Sequence, residues 1–320
     1  MPATPPRGTP ASTSFDDRAI DDMSAALGAI EHERGALLAK RTTFGIGGPA
    51  DLLVIARSEG EVIRALALAE ERALPVFVLG GGSNLLVGDG GIRGCVLTLS
   101  GVLASLTIAR GGDVIDVGTG VTYPRLTRTA LDLGWPRAVG WLGTPGQVGG
   151  ALIMNAGTRH GEIGDVVVEV RAASAAGPLR FDRSACGFAY RKSAFPAGAV
   201  LTGTLLQCDS RKTDETAELD AMAKDLLHRR HQSQPKLRSA GSIFKNPPGD
   251  FAGRLIEAAG LKGFTSGKAQ VSPVHANFVV NLGGARAADV VAVADHARAV
   301  VREKFGVELE WEVRRVGVHA

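Results

Sequence analysis

Leu79-Gly80-Gly81-Gly82-Ser83-Asn84-Leu85-Leu86-Val87 is the stretch whose reading decides the fold. An apolar run, Pro75 to Leu79, leads into it, and glycine recurs as far as Gly94. Each glycine lacks a Cβ, so a ligand can approach the backbone and positive φ costs little. A strand, then glycines, then Ser-Asn presents bare N–H groups in the way that suits a phosphate. A second glycine-dense segment runs from Gly140 to Gly164. The plain alternative is two tight surface turns. Two such loops, each beside a β-like run and carrying small polar residues, point instead to a long ligand with a pyrophosphate in its middle: a dinucleotide. The usual fingerprints do not fit. No G-x-x-x-x-G-K-[ST] occurs, which argues against a P-loop. Nor does Gly80–Leu85 form a G-x-G-x-x-G that opens a helix. Leu85-Leu86-Val87 reads as more extended chain, and Gly88-Asp89-Gly90-Gly91 as a turn. A Rossmann site needs a helix there, so the dinucleotide site is of another kind.

Working outward, the chain has 320 residues, 45% hydrophobic and 22% charged, enough for two or three domains. A net charge of +3 is too small to imply nucleic acid and suits an anionic small substrate. No apolar run has the length of a membrane span, so no membrane insertion is expected. Met1 to Asp17 is rich in Pro, Thr and Ser and lacks the apolar core of a signal peptide. A disordered tail over residues 1–20 is expected. Cys95, Cys186 and Cys208 have no metal-ligand spacing and read as buried thiols in a reducing cytoplasm. His228 and His231 could share a helix face, but no third ligand is visible, and no metal is assigned.

Periodicity divides the chain into three α/β textures: 21–100, 101–210 and 211–320. In the first, Ala25–Lys40 reads as helix, Leu52–Ala56 as strand, Glu61–Arg72 as helix, and Val76–Leu79 and Val96–Leu99 as strands. In the second, Ser105–Ala109 and Val114–Val117 are strands split by the turn Arg110-Gly111-Gly112-Asp113. Thr122 can cap a helix to Leu133 that ends at Gly134. Asp165–Ala172 and Ala199–Cys208 are strands. In the third, helices are expected over Leu219–His231, from Asp250 to Gly260, and over Ala287–Phe305 before Gly306. Asn277–Asn281 is a strand. Val307, Leu309, Trp311 and Val313 alternate with Glu308, Glu310, Glu312 and Arg314, the pattern of a half-buried strand.

Four segments place polar residues where no core is being built. In Tyr190-Arg191-Lys192-Ser193, Arg191 could clamp a carboxylate or phosphate in a fork, or be a plain surface arginine. In Ser239–Pro247, Ser242 lies in a glycine turn with Lys245 and Asn246 nearby, and could simply tighten that turn. Ala269–Asn277 contains His275. In Glu308–Arg315 the alternation does not choose among Glu308, Glu310 and Glu312. The basic set Lys224, Arg229, Arg230, Lys236 and Arg238 could meet a diphosphate or line a solvated helix face.

The ordered series Arg41-Thr42-Thr43-Phe44-Gly45-Ile46-Gly47-Gly48-Pro49-Ala50, GGGSNLLV, Gly143-Thr144-Pro145-Gly146-Gln147-Val148-Gly149-Gly150-Ala151, Met154-Asn155-Ala156-Gly157, YRKS, AGSIFKNP, Leu261-Lys262-Gly263, AQVS and Glu312-Val313-Arg314 resembles the UDP-N-acetylenolpyruvoylglucosamine reductases (the MurB family). The likeness covers Arg41 to Gly317. The short passage from YRKS to AGSIFKNP resembles the family's second type. Gln147, Thr144 and Lys268 depart from its usual residues.

The resemblance implies an α/β (α+β) fold: a two-subdomain FAD-binding unit of the vanillyl-alcohol-oxidase/PCMH type plus a C-terminal α/β substrate-binding domain. It implies a cytoplasmic, NADPH-dependent flavoenzyme of peptidoglycan precursor synthesis. The substrate would be UDP-N-acetylglucosamine enolpyruvate and the product UDP-N-acetylmuramate. FAD would lie along Gly80, Gly81, Gly82, Ser83 and Asn84 and along Gly143, Thr144, Pro145, Gly146, Gly149 and Gly150. Matched by motif, Ser242 would donate a proton, Arg191 would stabilise developing charge, and Glu312 is the glutamate selected. Tyr190, Lys245, Asn246 and His275 would contact substrate. The rival readings are another flavin oxidase of the same fold, and a nucleotide-sugar-binding protein without turnover.

Overall fold

The computed structural model describes residues 17–208, 221–226, 228 and 232–319. Helix α1 (Asp17–Leu27) buries Ile20, Met23 and Leu27, which recur at helical spacing. The disordered tail expected over 1–20 is corrected at 17–20, which are helical; residues 1–16 lie outside the described residues. The helix expected over Ala25–Lys40 is corrected too. Gly28 and Gly35 adopt φ of 59° and 66°, which no right-handed helix accommodates, and strand β1 (Glu31–Arg34) lies between them.

The first unit continues with β2 (Ala50–Ala56), α2 (Glu59–Glu71), β3 (Val76–Val78), β4 (Leu85–Val87) and β5 (Ile92–Leu99). Its sheet has the order β1-β2-β5-β3, with β2 and β3 parallel to β5 and β1 antiparallel to β2. The near-continuous burial along β2 and β5 is what inner parallel strands require. Ser58 caps α2 by accepting from Glu61 N–H. β4 does not join this sheet. It leads the glycine loop away as extended chain, as the sequence reading expects.

The second unit holds β6 (Leu106–Ile108), β7 (Val114–Gly118), α3 (Tyr123–Asp132), α4 (Val148–Ile153), a hairpin of β8 (Gly157–Thr158) and β9 (Gly161–Glu162), β10 (Val167–Ser174), β11 (Gly177–Asp182) and β12 (Val200–Gln207). Its main sheet is antiparallel, with the order β11-β10-β12-β7-β6. Four elements escape the sequence reading: the short β8–β9 hairpin, β11 and α4. β11 is an edge strand whose outward side is polar, so its apolar signal is weak. α4 starts Val148-Gly149-Gly150, poor helix formers held by burial of Val148, Ala151 and Leu152. The core beneath packs Trp135, Trp141 and Tyr123, all fully buried.

The third unit contains α5 (Ala252–Ala258), β13 (Thr265–Ser266), β14 (Ala269–Val271), β15 (Val279–Asn281), α6 (Ala287–Phe305) and β16 (Arg314–Val316). β13, β14 and β15 form one antiparallel sheet. α6 ends at Gly306 with φ 67°, a left-handed cap. Residues 221–226 are helical; Leu219, Arg229, Arg230 and His231 of the expected helix and basic set lie outside the described residues.

The strand expected from Val307 is corrected. Leu309 and Val313 are buried and Glu308 and Glu310 exposed, so the alternation holds. The chain nevertheless pairs only irregularly with residues 243–245: Lys245 N–H donates to Glu310 O at 2.8 Å and Glu312 N–H to Ile243 O at 2.9 Å. Pro247 and Pro248 just beyond have no N–H to extend a ladder. Regular strand begins only at β16, which pairs in parallel with β4 of the first unit.

Packing crosses the divisions expected after residues 100 and 210. Ala223 and Leu226 join the core of the second unit. Phe44, Ile46 and Leu86 join that of the third, with Phe244, Leu255 and Val290. Among the described residues no helix is long and apolar enough to cross a membrane.

Candidate active site

The Gly80–Asn84 loop leaves β3 as free chain. None of its five backbone N–H groups donates to a protein acceptor among the described residues. Consecutive free amides make a concave anion site. The second loop differs. Thr144, Val148 and Gly149 donate to Trp141, Val121 and Thr119 carbonyls at 2.9–3.1 Å, so much of it is held by protein.

The glycines divide between two tasks. A Cβ on Gly81 would lie 2.8 Å from Gly146 Cα, one on Gly146 2.7 Å from Ser83 Oγ, and one on Gly82 2.4 Å from Arg41 O. These three let one loop close against the other and against the 41–43 segment. A Cβ on Gly80 would meet only the Gln147 side chain, at 3.3 Å, and one on Gly150 nothing within 4 Å. Those two positions border open space. Gln147, a departure from the family pattern, thus sits beside the first loop.

Asn84 ties this loop to the third unit. Its Nδ2 donates to Glu312 O at 3.3 Å, and Arg314 N–H donates to Asn84 O at 3.1 Å. Thr43 adds a second tie, its hydroxyl donating to Ser239 O at 2.9 Å and its N–H to Gly82 O at 3.2 Å. Ser242 is half-buried, in an isolated bridge with Phe278. Its neighbours are fixed by buried Asn277, whose amide spans both backbone polar groups of Phe244. Glu312 N–H donates to Ile243 O, so Ser242 and Glu312 lie on adjacent extended segments.

The three glutamates left open by the alternation are now distinguishable. Glu308 pairs with Arg298, and Glu310 with Lys245 at 3.1 Å. Glu312 is half-buried, and its carboxylate has no hydrogen bond or ion pair among the described residues.

Arg191 occupies a different structure. Ala189 and Lys192 exchange two backbone hydrogen bonds of 3.0 Å, and Arg191 takes φ 55° at the tip between them. The segment 153–157 grips this turn: Ser193 Oγ donates to Ile153 O, Asn155 Nδ2 to Ala189 O, and Arg191 Nη1 to Gly157 O at 3.2 Å. The guanidinium lies 5.5 Å from the centre of the exposed Tyr190 ring. Arg137, Arg159, Glu162 and Asp165 line a cavity of about 560 Å³ with these two. Among the described residues no hydrogen bond joins this turn to the Ser242–Glu312 group.

The remaining candidates have structural partners. Asn246 Oδ1 accepts from Ala252 N–H at the start of α5. His275 Nδ1 accepts from Asn277 N–H at 3.2 Å, and burial pushes the imidazole pKa down. Sequence reasoning missed Asn155 and Asp89 as organising residues. The signals were an asparagine before Ala-Gly, able to take its φ of 43°, and an aspartate fenced by glycines.

Residues 50–181 match the family described as FAD binding domain, and residues 233–316 the one described as UDP-N-acetylenolpyruvoylglucosamine reductase, C-terminal domain. The UDP-N-acetylenolpyruvoylglucosamine reductase 2 of Symbiobacterium thermophilum is 42% identical over 302 residues, which cover 92% of this chain and 97% of that protein. The chain belongs to the UDP-N-acetylenolpyruvoylglucosamine reductase family. The reductase of Anaeromyxobacter sp. strain Fw109-5 is 45% identical over 285 residues, covering 89% of this chain and 88% of its own. The crystal structure of the reductase from Thermus caldophilus superposes with a TM-score of 0.76 at 39% identity, covering 89% of this chain and 98% of that one. The chain is thus an FAD-binding enzyme with the two-subdomain flavin fold of the vanillyl-alcohol-oxidase type and a C-terminal α/β domain. Its residues fit that cofactor: the free amides of Gly80–Asn84 suit a pyrophosphate, and the surface beside Gly80 and Gly150 is unobstructed.

Proposed function

We propose that this chain reduces the enolpyruvyl ether of UDP-N-acetylglucosamine enolpyruvate to the lactyl ether of UDP-N-acetylmuramate, in the cytoplasm, with NADPH as electron source. The chemistry FAD supplies when bound is hydride relay, from NADPH to the vinyl carbon remote from the carboxylate. Addition there leaves negative charge on the carbon beside the carboxylate, and this chain's residues must meet it. Arg191 forks the carboxylate and the charge spreading onto it. Ser242 gives its hydroxyl proton to the carbon; an alcohol is a weak acid, so it serves only when held against a strongly basic centre. Glu312 orients and polarises that centre. Tyr190 steadies Arg191, while Lys245, Asn246 and His275 contact the nucleotide sugar.

The observation that carries this reading is the half-buried Glu312 carboxylate, unpartnered among the described residues, on a segment tied to the free-amide loop through Asn84 and to the Ser242 segment through Ile243 O. The test is anaerobic spectroscopy of the purified holoenzyme. NADPH should bleach the flavin band. UDP-N-acetylglucosamine enolpyruvate should then restore it, with UDP-N-acetylmuramate as product by mass. Bleaching without recovery removes the substrate assignment, and no bleaching removes NADPH.

A further inference from the structure

Helix α6 supplies only part of its own cap: Asp289 Oδ2 accepts from Arg286 N–H at 3.0 Å, and the N–H groups of Ala287 and Ala288 are left to other acceptors. Its N-cap residue is Arg286, whose guanidinium has no acceptor, although the first turn of any helix leaves N–H donors orphaned. The acceptor comes from 198 residues away in sequence: Asp89 Oδ1 takes Ala287 N–H at 2.8 Å, and Oδ2 takes Ala288 N–H at 3.1 Å. Arg286 Nε adds an ion pair at 3.8 Å. A carboxylate on a helix N-terminus also complements the macrodipole.

The Asp89 turn is held from every side. Gly88 N–H donates to Val316 O, Gly90 N–H to Val318 O, and Gly48 N–H to Gly88 O. A Cβ on Gly88 would lie 2.1 Å from Val318 O, and one on Gly91 1.8 Å from Pro49 O. The turn follows directly on β4, which follows directly on the Gly80–Asn84 loop. In the C-terminal half of α6, Arg298 donates to Leu309 O at 3.0 Å, gripping the segment that runs on to Glu312. Flavin loop, β4, Asp89, α6 and the Glu312 segment therefore form one connected path.

We propose that Asp89 is a positioning residue for the second half-reaction. It registers the C-terminal domain, and with it Ser242 and Glu312, on the loop that grips flavin. The inference rests on the function proposed above. Hydride entry from NADPH needs neither the serine nor the glutamate; protonation of the substrate carbon needs both in place.

The test follows the two half-reactions separately, by anaerobic stopped flow, in holoenzyme carrying Asp89→Ala, Asp89→Ser or Asp89→Asn, with wild type alongside. In Asp89→Ala, flavin reoxidation by the enolpyruvyl nucleotide should slow about tenfold, with NADPH-driven bleaching within about twofold of wild type. Asp89→Ser and Asp89→Asn, which keep one cap acceptor, should recover most of that loss. Should Asp89→Ala not fold with flavin, the Ser and Asn variants decide: each keeps one acceptor of two, so reoxidation slowed about twofold or more with bleaching unchanged supports the proposal, and reoxidation at wild-type rate in both overturns it. Reoxidation at wild-type rate in all three, or equal slowing of both half-reactions, overturns the proposal. Wild type that bleaches but is never reoxidised by the nucleotide overturns the functional reading instead.

Discussion

At the residue scale, the site divides into groups that act and groups that hold. Ser242→Ala removes the only proton Ser242 can give. Reoxidation by substrate should fall by about a hundredfold or more with bleaching by NADPH intact; equal loss of both steps, read by stopped flow, would refute the donor role. Arg191→Lys keeps the charge and loses the fork, so kcat should drop about a hundredfold in steady-state assays. Cys95 should be silent in the folded protein. Burial pushes its thiol up to about 12, so it stays protonated and sheltered at pH 8. A thiol reagent should label it only after denaturant is added, which peptide mapping would show. The family resemblance proposed Ser242, Arg191 and Glu312 from the sequence; the residues' own pattern did not. Alternation left Glu312 level with Glu308 and Glu310, because a period of two says which face a residue takes and nothing about which cation waits there.

At the scale of elements, legibility followed the strength of local period. α2 and α6 carry apolar residues at helical spacing and end where expected, α6 at Gly306. β1 and β11 bury too little for their own residues to show it, and α4 forms against its glycines because the surrounding core demands it. Two glycine substitutions separate strain from collision. Gly306→Ala meets open space, so only the left-handed φ resists, and the loss should be ~1 kcal/mol by urea unfolding. Gly91→Ala drives a methyl into the Pro49 carbonyl at φ 79°, and should cost several times as much or abolish soluble protein.

For the whole molecule, stability should be lost on mild acidification. His275 and His319 both have pKa values lowered, first by burial, and both His319 ring nitrogens are buried without partners among the described residues. The folded state then binds fewer protons than the unfolded state near pH 6. Stability is full above the unfolded value of about 6.5 and declines as pH falls from there toward the lower folded values. The urea midpoint should drop between pH 7.5 and 5.5, and His319→Asn should flatten that slope; a pH-independent midpoint would contradict it. Sequence alone showed where strong local periods bury a stretch, where glycines let the chain turn, that a dinucleotide cofactor was to be expected, and to which family the chain is akin. Those are properties of a few consecutive residues: side-chain spacing, permitted φ, missing Cβ atoms. Only tertiary structure decided that β16 returns to β4, that Asp89 caps α6, and that Glu312 alone of three glutamates lacks a cation. Each joins segments far apart in the chain. No local preference encodes such a pairing, which exists only once burial of the shared cores has offset the entropy of bringing them together.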